Sequence, residues 1–202
     1  MKIFLTGTDT DIGKTLVASW ICLHSKYSYF KPIQTGSDNS LTDKEIVENL
    51  SDTKIYNETY IFKDPYSPHK AAKLENTSIN IENIKLPTDN NIIIEGAGGI
   101  LVPINDRYLM IDLIIYLNLP VIVVARPGLG TINHTCLTLE VLKLRRIKIL
   151  GVIINGGIDQ DNKEAIMHYG NTQILAELPK FGQVTKQILS NFSLPINLKN
   201  IL

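Results

Sequence analysis

Gly13-Lys14-Thr15 follows a short apolar run and opens a helical pattern, the strand, loop and helix order that a phosphate-cradling loop requires. Glycine permits close backbone approach, lysine supplies a point positive charge, and threonine offers a hydroxyl for Mg²⁺. Amide groups at the helix start add partial positive charge aimed at the same anion. The spacing is not the common one, because Thr8 stands five positions before Gly13, where a first glycine is usual, and Gly7 lies one residue further back. These residue types predict a nucleotide-phosphate site with an altered loop.

Other side chains have chemistry that suits such a site. Glu95 ends the β-branched run Ile92-Ile93-Ile94 and precedes Gly96-Ala97-Gly98-Gly99. An acid in that position can help hold Mg²⁺, and the small residues leave amides open to an anion; a solvated strand-end carboxylate is the plainer alternative. Lys31 is followed by Pro32, which restricts it to extended geometry, and by the hydroxyl-rich turn Thr35-Gly36-Ser37. Two lysines converging on one site suit a substrate more anionic than a nucleotide alone. Asp43 begins a short helix, where capping by Thr42 or Asp43 explains the same letters. Asn155 ends an apolar strand: its amide could pair with an adenine edge, or simply form the turn before Gly156-Gly157. His134 has no serine or cysteine in a recognisable triad arrangement with it, which argues against a nucleophilic hydrolase.

The elements that must position these groups follow from periodicity. Residues 2–5, 27–30, 91–95, 120–125, 149–154 and 174–178 read as strands, the first of them buried, with a further extended stretch at 59–62. Residues 14–26, 41–50, 69–74, 109–117, 131–144 and 161–169 read as helices. The first carries Leu16, Val17, Trp20, Ile21 and Leu23 on its apolar side, and the fifth carries Leu137, Val141 and Leu144 on its buried face. Residues 34–40 read as a polar loop, and 190–202 lack enough pattern to assign. Strands alternating with helices predict an α/β fold, a mostly parallel central sheet flanked by helices on both faces. In such sheets ligands bind beyond the carboxyl ends of the strands, where the polar signals fall.

Composition narrows the class. With 202 residues and 44% hydrophobic content, the chain can bury one sizeable core, and a single domain over 1–202 is expected. Twenty basic and twenty acidic side chains leave no net charge, which gives no bulk electrostatic case for nucleic acid or an anionic membrane. The apolar run after Lys2 is too short for a signal peptide, and no stretch is long enough to span a bilayer. Cys22 and Cys136 lie in apolar helical patterns without metal-ligand spacing, as buried reduced thiols of a cytosolic protein would.

Taken together, the loop from Gly7 to Thr15, Lys31-Pro32-Ile33-Gln34-Thr35-Gly36-Ser37, Pro65-Tyr66-Ser67-Pro68-His69, Glu95-Gly96-Ala97-Gly98-Gly99, Gly130-Thr131-Ile132-Asn133-His134 and Asn155 resemble the dethiobiotin synthetases, in the family's order and across nearly the whole chain. The resemblance implies a P-loop NTP hydrolase-like fold and an ATP- and Mg²⁺-dependent ligase that joins CO₂ to 7,8-diaminononanoate and closes a ureido ring through a carbamate and a mixed carbamic-phosphoric anhydride. It implies catalytic roles for Lys31 and Lys14, and Mg²⁺ positions at Thr15, Asp43 and Glu95. A nucleotide site is implied at Asp11, Ile12, Gly13, Lys14, Thr15, Leu16, Asp43, Glu95, Gly96, Ala97, Gly98, Asn155, Pro179, Lys180 and Phe181. Substrate contacts are implied at Thr10, Thr35 and Asn133, the last from the partner subunit of a homodimer whose helix start near 130–133 holds the substrate's carboxylate. The chain departs from the family pattern at Gly156 and at Lys180-Phe181, both at the adenine end, and a substrate tyrosine expected after Asn155 has no clear counterpart.

A partition or site-placement ATPase of the related loop class is the rival reading. Such proteins usually carry a second lysine early in the loop, where this chain has Thr8, Asp9 and Thr10. A glutamine-dependent amidoligase would need a second domain, for which there is no room.

Overall fold

The computed structural model describes residues 1–38 and 41–202. In chain order the elements are β1 (Lys2–Gly7), α1 (Lys14–Ser25), β2 (Ser28–Phe30), β3 (Ile33–Thr35), α2 (Asp43–Ser51), β4 (Ile55–Tyr56), β5 (Tyr60–Phe62), α3 (Pro68–Leu74), β6 (Ile92–Gly99), α4 (Met110–Leu117), β7 (Val121–Ala125), α5 (Thr131–Leu144), β8 (Ile149–Asn155), α6 (Gln160–Gly170), β9 (Ile174–Leu178), α7 (Lys186–Ser190) and α8 (Ile196–Lys199). Seven strands form one sheet in the order β4-β2-β6-β1-β7-β8-β9, and its strand pairings are parallel. Continuous Ile, Val and Leu runs suit strands covered on both faces.

Alternation along β1 separates the two layers of core. Ile3 and Leu5 pack with Val17, Trp20 and Ile21 of α1, Val47 of α2, Leu189 of α7 and Leu198 of α8. Phe4 packs on the other face with Ala71 of α3, Met110 and Leu113 of α4, Leu139 and Leu142 of α5, and Ile166 of α6. The chain first builds β2 to one side of β1, inserts β6 between them, and then crosses to β7 on the far side. Such a reversal opens a crevice at the carboxyl ends of the strands it separates.

Several expectations are corrected. The loop expected over 34–40 begins as strand: Ile33–Thr35 pairs with Tyr60–Phe62 in a separate two-stranded sheet, with Gln34 buried. Pro32 ends the main-sheet hydrogen bonding without ending extended geometry, and its carbonyl accepts the amides of Thr59 and Tyr60. Asn39 and Ser40, the end of that expected loop, lie outside the described residues. The strand ending at Glu95 instead runs on through Gly99, whose partner across the ladder is Gly7. Residues 190–202 do hold structure: α8 lies against β9, Leu194 and Leu198 join the core on the α1 side of the sheet, and the Trp20 indole of α1 donates to the Phe192 carbonyl.

The fifth helix faces the other way from expectation. Leu137 and Leu144 are 57% and 75% exposed and Val141 is half-buried, whereas Thr131, Thr135 and Thr138 are buried with Leu139 and Leu142. The threonine hydroxyls tolerate burial because their own helix serves them: Thr138 Oγ1 donates to the His134 carbonyl at 2.9 Å, and the Thr131 and Thr135 hydroxyls lie 3.4 Å apart. Cys136 is correspondingly half-buried, while Cys22 is buried as expected.

Candidate active site

The loop between β1 and α1 owes its form to two close approaches. A Cβ on Gly7 would meet Ile12 Cδ1 at 2.3 Å, so the displaced glycine is what allows Ile12 to fold back into the core beneath the loop. Gly13 has φ 85°, and a Cβ there would meet Asn155 Nδ2 at 2.1 Å. Asn155 donates that Nδ2 to the Ile12 carbonyl at 2.8 Å, so the end of β8 props up the turn that starts α1. With its amide nitrogen engaged, Asn155 braces the loop in this structure, while its buried Oδ1 has no partner among the described residues.

At the carboxyl ends of β1, β2 and β6 lies a cavity of about 650 Å³, lined on its chemical side by Lys14, Thr15, Lys31, Asp43 and Glu95. Lys31 follows β2 and Glu95 sits within β6, adjacent strands in the sheet, while Thr15 and Asp43 come from the first turns of α1 and α2. The Lys31 ammonium is paired with Asp43 Oδ2 and lies 3.3 Å from Glu95 Oε1. Thr15 Oγ1 is 2.8 Å from Asp43 Oδ1 and 3.0 Å from Glu95 Oε1; its single proton serves one carboxylate at a time. Asp43 is free for this because Thr42 is the cap: its side chain accepts the Glu45 amide, and the Glu45 carboxylate accepts from Thr42 in return.

Burial would push the Lys31 ammonium down, but the facing Glu95 and Asp43 carboxylates outweigh it and hold its pKa above the ordinary lysine value. Burial likewise opposes ionisation of Asp43, and Lys31, then Thr15 and Lys14, hold its carboxyl below the usual range. Lys14 goes the other way: burial lowers it, Lys31 adds like-charge repulsion, and the pull of Glu95, Asp43 and Asp11 does not make up the loss. Its Nζ donates to the Asp9 carbonyl at 3.0 Å, a neutral acceptor that leaves the charge without a counterion at hydrogen-bond distance. The site thus holds one lysine saturated by carboxylates and one short of negative charge.

Set against this geometry, the comparisons with known proteins are decisive. A family profile described as an AAA domain matches residues 1–187. The ATP-dependent dethiobiotin synthetase of Lawsonia intracellularis is 55% identical over 201 residues, covering 100% of this chain and 98% of that protein. That of Paramagnetospirillum magneticum is 47% identical, covering 96% and 95%. The chain belongs to the dethiobiotin synthetase family.

The fold around this family's site is shared more widely. The MinD cell division protein of Aquifex aeolicus superposes with a TM-score of 0.55 at 15% identity, covering 100% of this chain and 90% of that one. A ParA family ATPase from Chlorobium tepidum gives 0.54 at 12%, covering 89% and 84%. At such identities the likeness is one of fold: a P-loop NTP hydrolase-like sheet with helices on both faces.

Of the residues that resemblance to the dethiobiotin synthetases singled out, the cavity gathers Thr10, Asp11, Gly13, Lys14, Thr15, Lys31, Thr35, Asp43, Glu95, Ala97 and Gly98. Ile12 and Leu16 have their side chains in or against the core, which leaves only their backbone to the loop. Gly96 lies over Phe4 and Met110. Asn155 stands behind the loop, and Pro179, Lys180 and Phe181 follow β9 at the same end of the sheet, outside the cavity wall; Phe181 packs edge-on against Phe192. Asn133 is exposed on α5, away from this cavity.

Three further groups at this end of the sheet had no role assigned from the sequence. Tyr29 is buried and donates its hydroxyl to Glu95 Oε2 at 2.9 Å; it sits two residues before Lys31, and that i, i+2 spacing on one strand was the available signal. Gln34 Oε1 accepts the Asp43 amide at 3.3 Å, fixing the start of α2. Arg126, at the end of β7, pairs with Asp9 Oδ2 at 3.4 Å and links the loop to His134 on α5; a charge after a strand gave no hint of that partner.

Proposed function

We propose that the chain is an ATP-dependent ligase of biotin biosynthesis that makes dethiobiotin from 7,8-diaminononanoate and CO₂. The observation that carries this reading is Lys31, an ammonium buried in the phosphate-loop cavity and supplied with its own carboxylates, in addition to the loop's Lys14. The loop's Lys14 can serve the nucleotide's phosphates; a second lysine that enters from beyond β2, and not from the loop, suits a second anion.

In the proposed reaction one substrate amine adds to CO₂ and gives up a proton, forming a carbamate. A carbamate oxygen then attacks the γ-phosphorus of ATP, and ADP leaves. The neighbouring amine attacks the carbonyl carbon of the resulting carbamic-phosphoric anhydride, and phosphate departs as the ring closes. Lys31 would hold the carbamate and Lys14 the transferring phosphoryl group, so that two anions are drawn into line against their mutual repulsion. Thr10 and Thr35, on the cavity wall, would bind the diamine, and the second attack, being intramolecular, gains from its orientation.

Thr15, Asp43 and Glu95 suit Mg²⁺: they offer hard oxygen donors, and the carboxylates already hold a cation, the Lys31 ammonium. Among the described residues no group of three or more His, Cys, Asp or Glu forms a metal cage, as fits a Mg²⁺ site shared with phosphate oxygens. Mg²⁺ bound there would offset charge on the β- and γ-phosphates.

A homodimer fits the surface of α5. Leu137, Leu144 and the fully exposed Leu129 form an apolar face beside Asn133 and the helix start, which would meet a second copy and hold the substrate's carboxylate in the partner's site. A single domain over 1–202 and a cytoplasmic location complete the reading; two unpaired cysteines suit a reducing compartment, and among the described residues no helix is long and apolar enough to cross a membrane.

The test uses ¹⁴C-bicarbonate with ATP, Mg²⁺ and the diamine. Acid-stable label and stoichiometric ADP are expected; ADP formation independent of the diamine, with no label fixed, would sink the ligase reading.

A further inference from the structure

Glu95 is 1% exposed, and its two oxygens have different neighbours. Oε1 faces Thr15 Oγ1 at 3.0 Å and Lys31 Nζ at 3.3 Å, groups that line the cavity. Oε2 faces away from them and accepts from the hydroxyl of Tyr29, whose ring is buried in the core on the α1 side of the sheet. Ser28, Tyr29 and Phe30 pair with Ile92, Ile93 and Ile94, so β2 lies in register beside the strand that carries Glu95. Alternation then places Tyr29 and Lys31 on the same side of that strand, one for each carboxylate oxygen.

The two partners differ in permanence. Lys31 sits on a four-carbon stem and, in the function proposed above, leaves the carboxylates for the carbamate. Tyr29 is a rigid ring with none of its surface exposed, and its hydroxyl has Glu95 Oε2 as its acceptor. A carboxylate buried this deeply needs a fixed donor to keep one rotamer once its movable partners turn to ligands.

We infer that Tyr29 is a positioning residue for Glu95: its hydroxyl anchors Oε2, so that Oε1 stays turned into the cavity and available to a Mg²⁺–nucleotide complex while Lys31 serves the second substrate. This rests on the proposed placement of Mg²⁺ at Thr15, Asp43 and Glu95.

The test measures binding, independent of turnover. Affinity for β,γ-methylene-ATP is determined by calorimetry with and without Mg²⁺, for the unmodified protein, Tyr29→Phe, Glu95→Gln and the double variant. The unmodified protein should bind more tightly with Mg²⁺; if it shows no gain, the metal placement itself is wrong. Tyr29→Phe should lose about tenfold of the affinity measured with Mg²⁺, the scale of a hydrogen bond to a charged group, with Mg²⁺-free affinity kept within about twofold. In the Glu95→Gln background the same substitution should change nothing further. An undiminished Mg²⁺ gain in Tyr29→Phe overturns the inference while leaving the metal site standing. Equal loss with and without Mg²⁺, or failure of Tyr29→Phe to fold, also overturns it, since the hydroxyl would then serve the fold as a whole.

Discussion

Two helices of this molecule begin alike and do different work. Gly13 opens α1 with φ 85° and Gly130 opens α5 with φ 88°; the first follows β1, the central strand of the sheet, the second follows its neighbour β7, and among the described residues neither helix has a side-chain cap. Both therefore present bare amides at the positive end of a helix, an anion site in embryo. Around Gly13 the fold has added Lys14, Thr15, two carboxylates and an enclosing cavity. Around Gly130 it has left Leu129, Asn133 and Leu137 open to solvent. In the proposed function the same local backbone device becomes a phosphate cradle where a cavity closes on it, and a docking point for a partner's substrate where it is left bare.

Charge should separate the two ends most strongly. Lys14→Met is expected to lower kcat/KM for ATP on the order of 10²–10³-fold, by removing the positive charge that the proposed reaction sets against the transferring phosphoryl group. Asn133→Ala should instead raise KM for the diamine about tenfold with KM for ATP unchanged, as loss of one contact to a carboxylate would. Steady-state kinetics with each substrate varied measures both. An ATP effect from Asn133→Ala would erase the distinction.

Backbone strain should separate them less, but in the same direction. Gly130→Ala meets no atom nearer than His134 Cε1 at 3.9 Å, so only the left-handed φ is strained. The expected cost is about 1 kcal/mol, some 2–4 °C in Tm. Gly13→Ala adds a collision with the Asn155 amide to the same strain, and thermal melts should show a drop at least twice as large. Equal drops would mean that the Asn155 brace yields freely.

The smallest effect is on pH. Lys14 titrates below the usual lysine value in the free protein, chiefly because it is buried, and phosphate binding favours its charged form. As pH rises through that depressed value, nucleotide binding should weaken and should take up a proton. Calorimetry in buffers of different ionisation enthalpy reads the uptake; Lys14→Met should abolish it. Acid acts on the other pair. Asp43 is held below its ordinary 3.8, so the stability it contributes is complete above that pH and is lost as pH falls through the lower folded value.

Much of the site was legible because sequence position and sheet position coincide at strand ends. Thr15 beyond β1, Lys31 beyond β2 and Glu95 in β6 could be assigned to one edge before any strand order was known, since parallel strands share a carboxyl end. Asp43 needed the resemblance to rise above a capping role, and the structure shows why both readings were open: Thr42 and Asp43 are adjacent, and only one of them caps. The two-stranded β3–β5 sheet was illegible because Gln34 and Thr35 are polar, their strand is three residues long and its partner lies far along the chain. Tyr29 was legible only as part of a short strand, since nothing in the letters says that its hydroxyl ends on a carboxylate.

The fifth helix marks the limit. It carries two stripes at helical spacing, Thr131, Thr135 and Thr138 on one side and Leu137, Val141 and Leu144 on the other, and hydropathy favours the second for the core. The fold buries the first. By itself the sequence determined that Thr15, Lys31 and Glu95 share one end of a parallel sheet, because strand and helix periods are local properties of the chain. Only the tertiary structure decided which face of α5 turns inward and which oxygen of Glu95 each partner holds, because those depend on contacts between segments far apart in sequence.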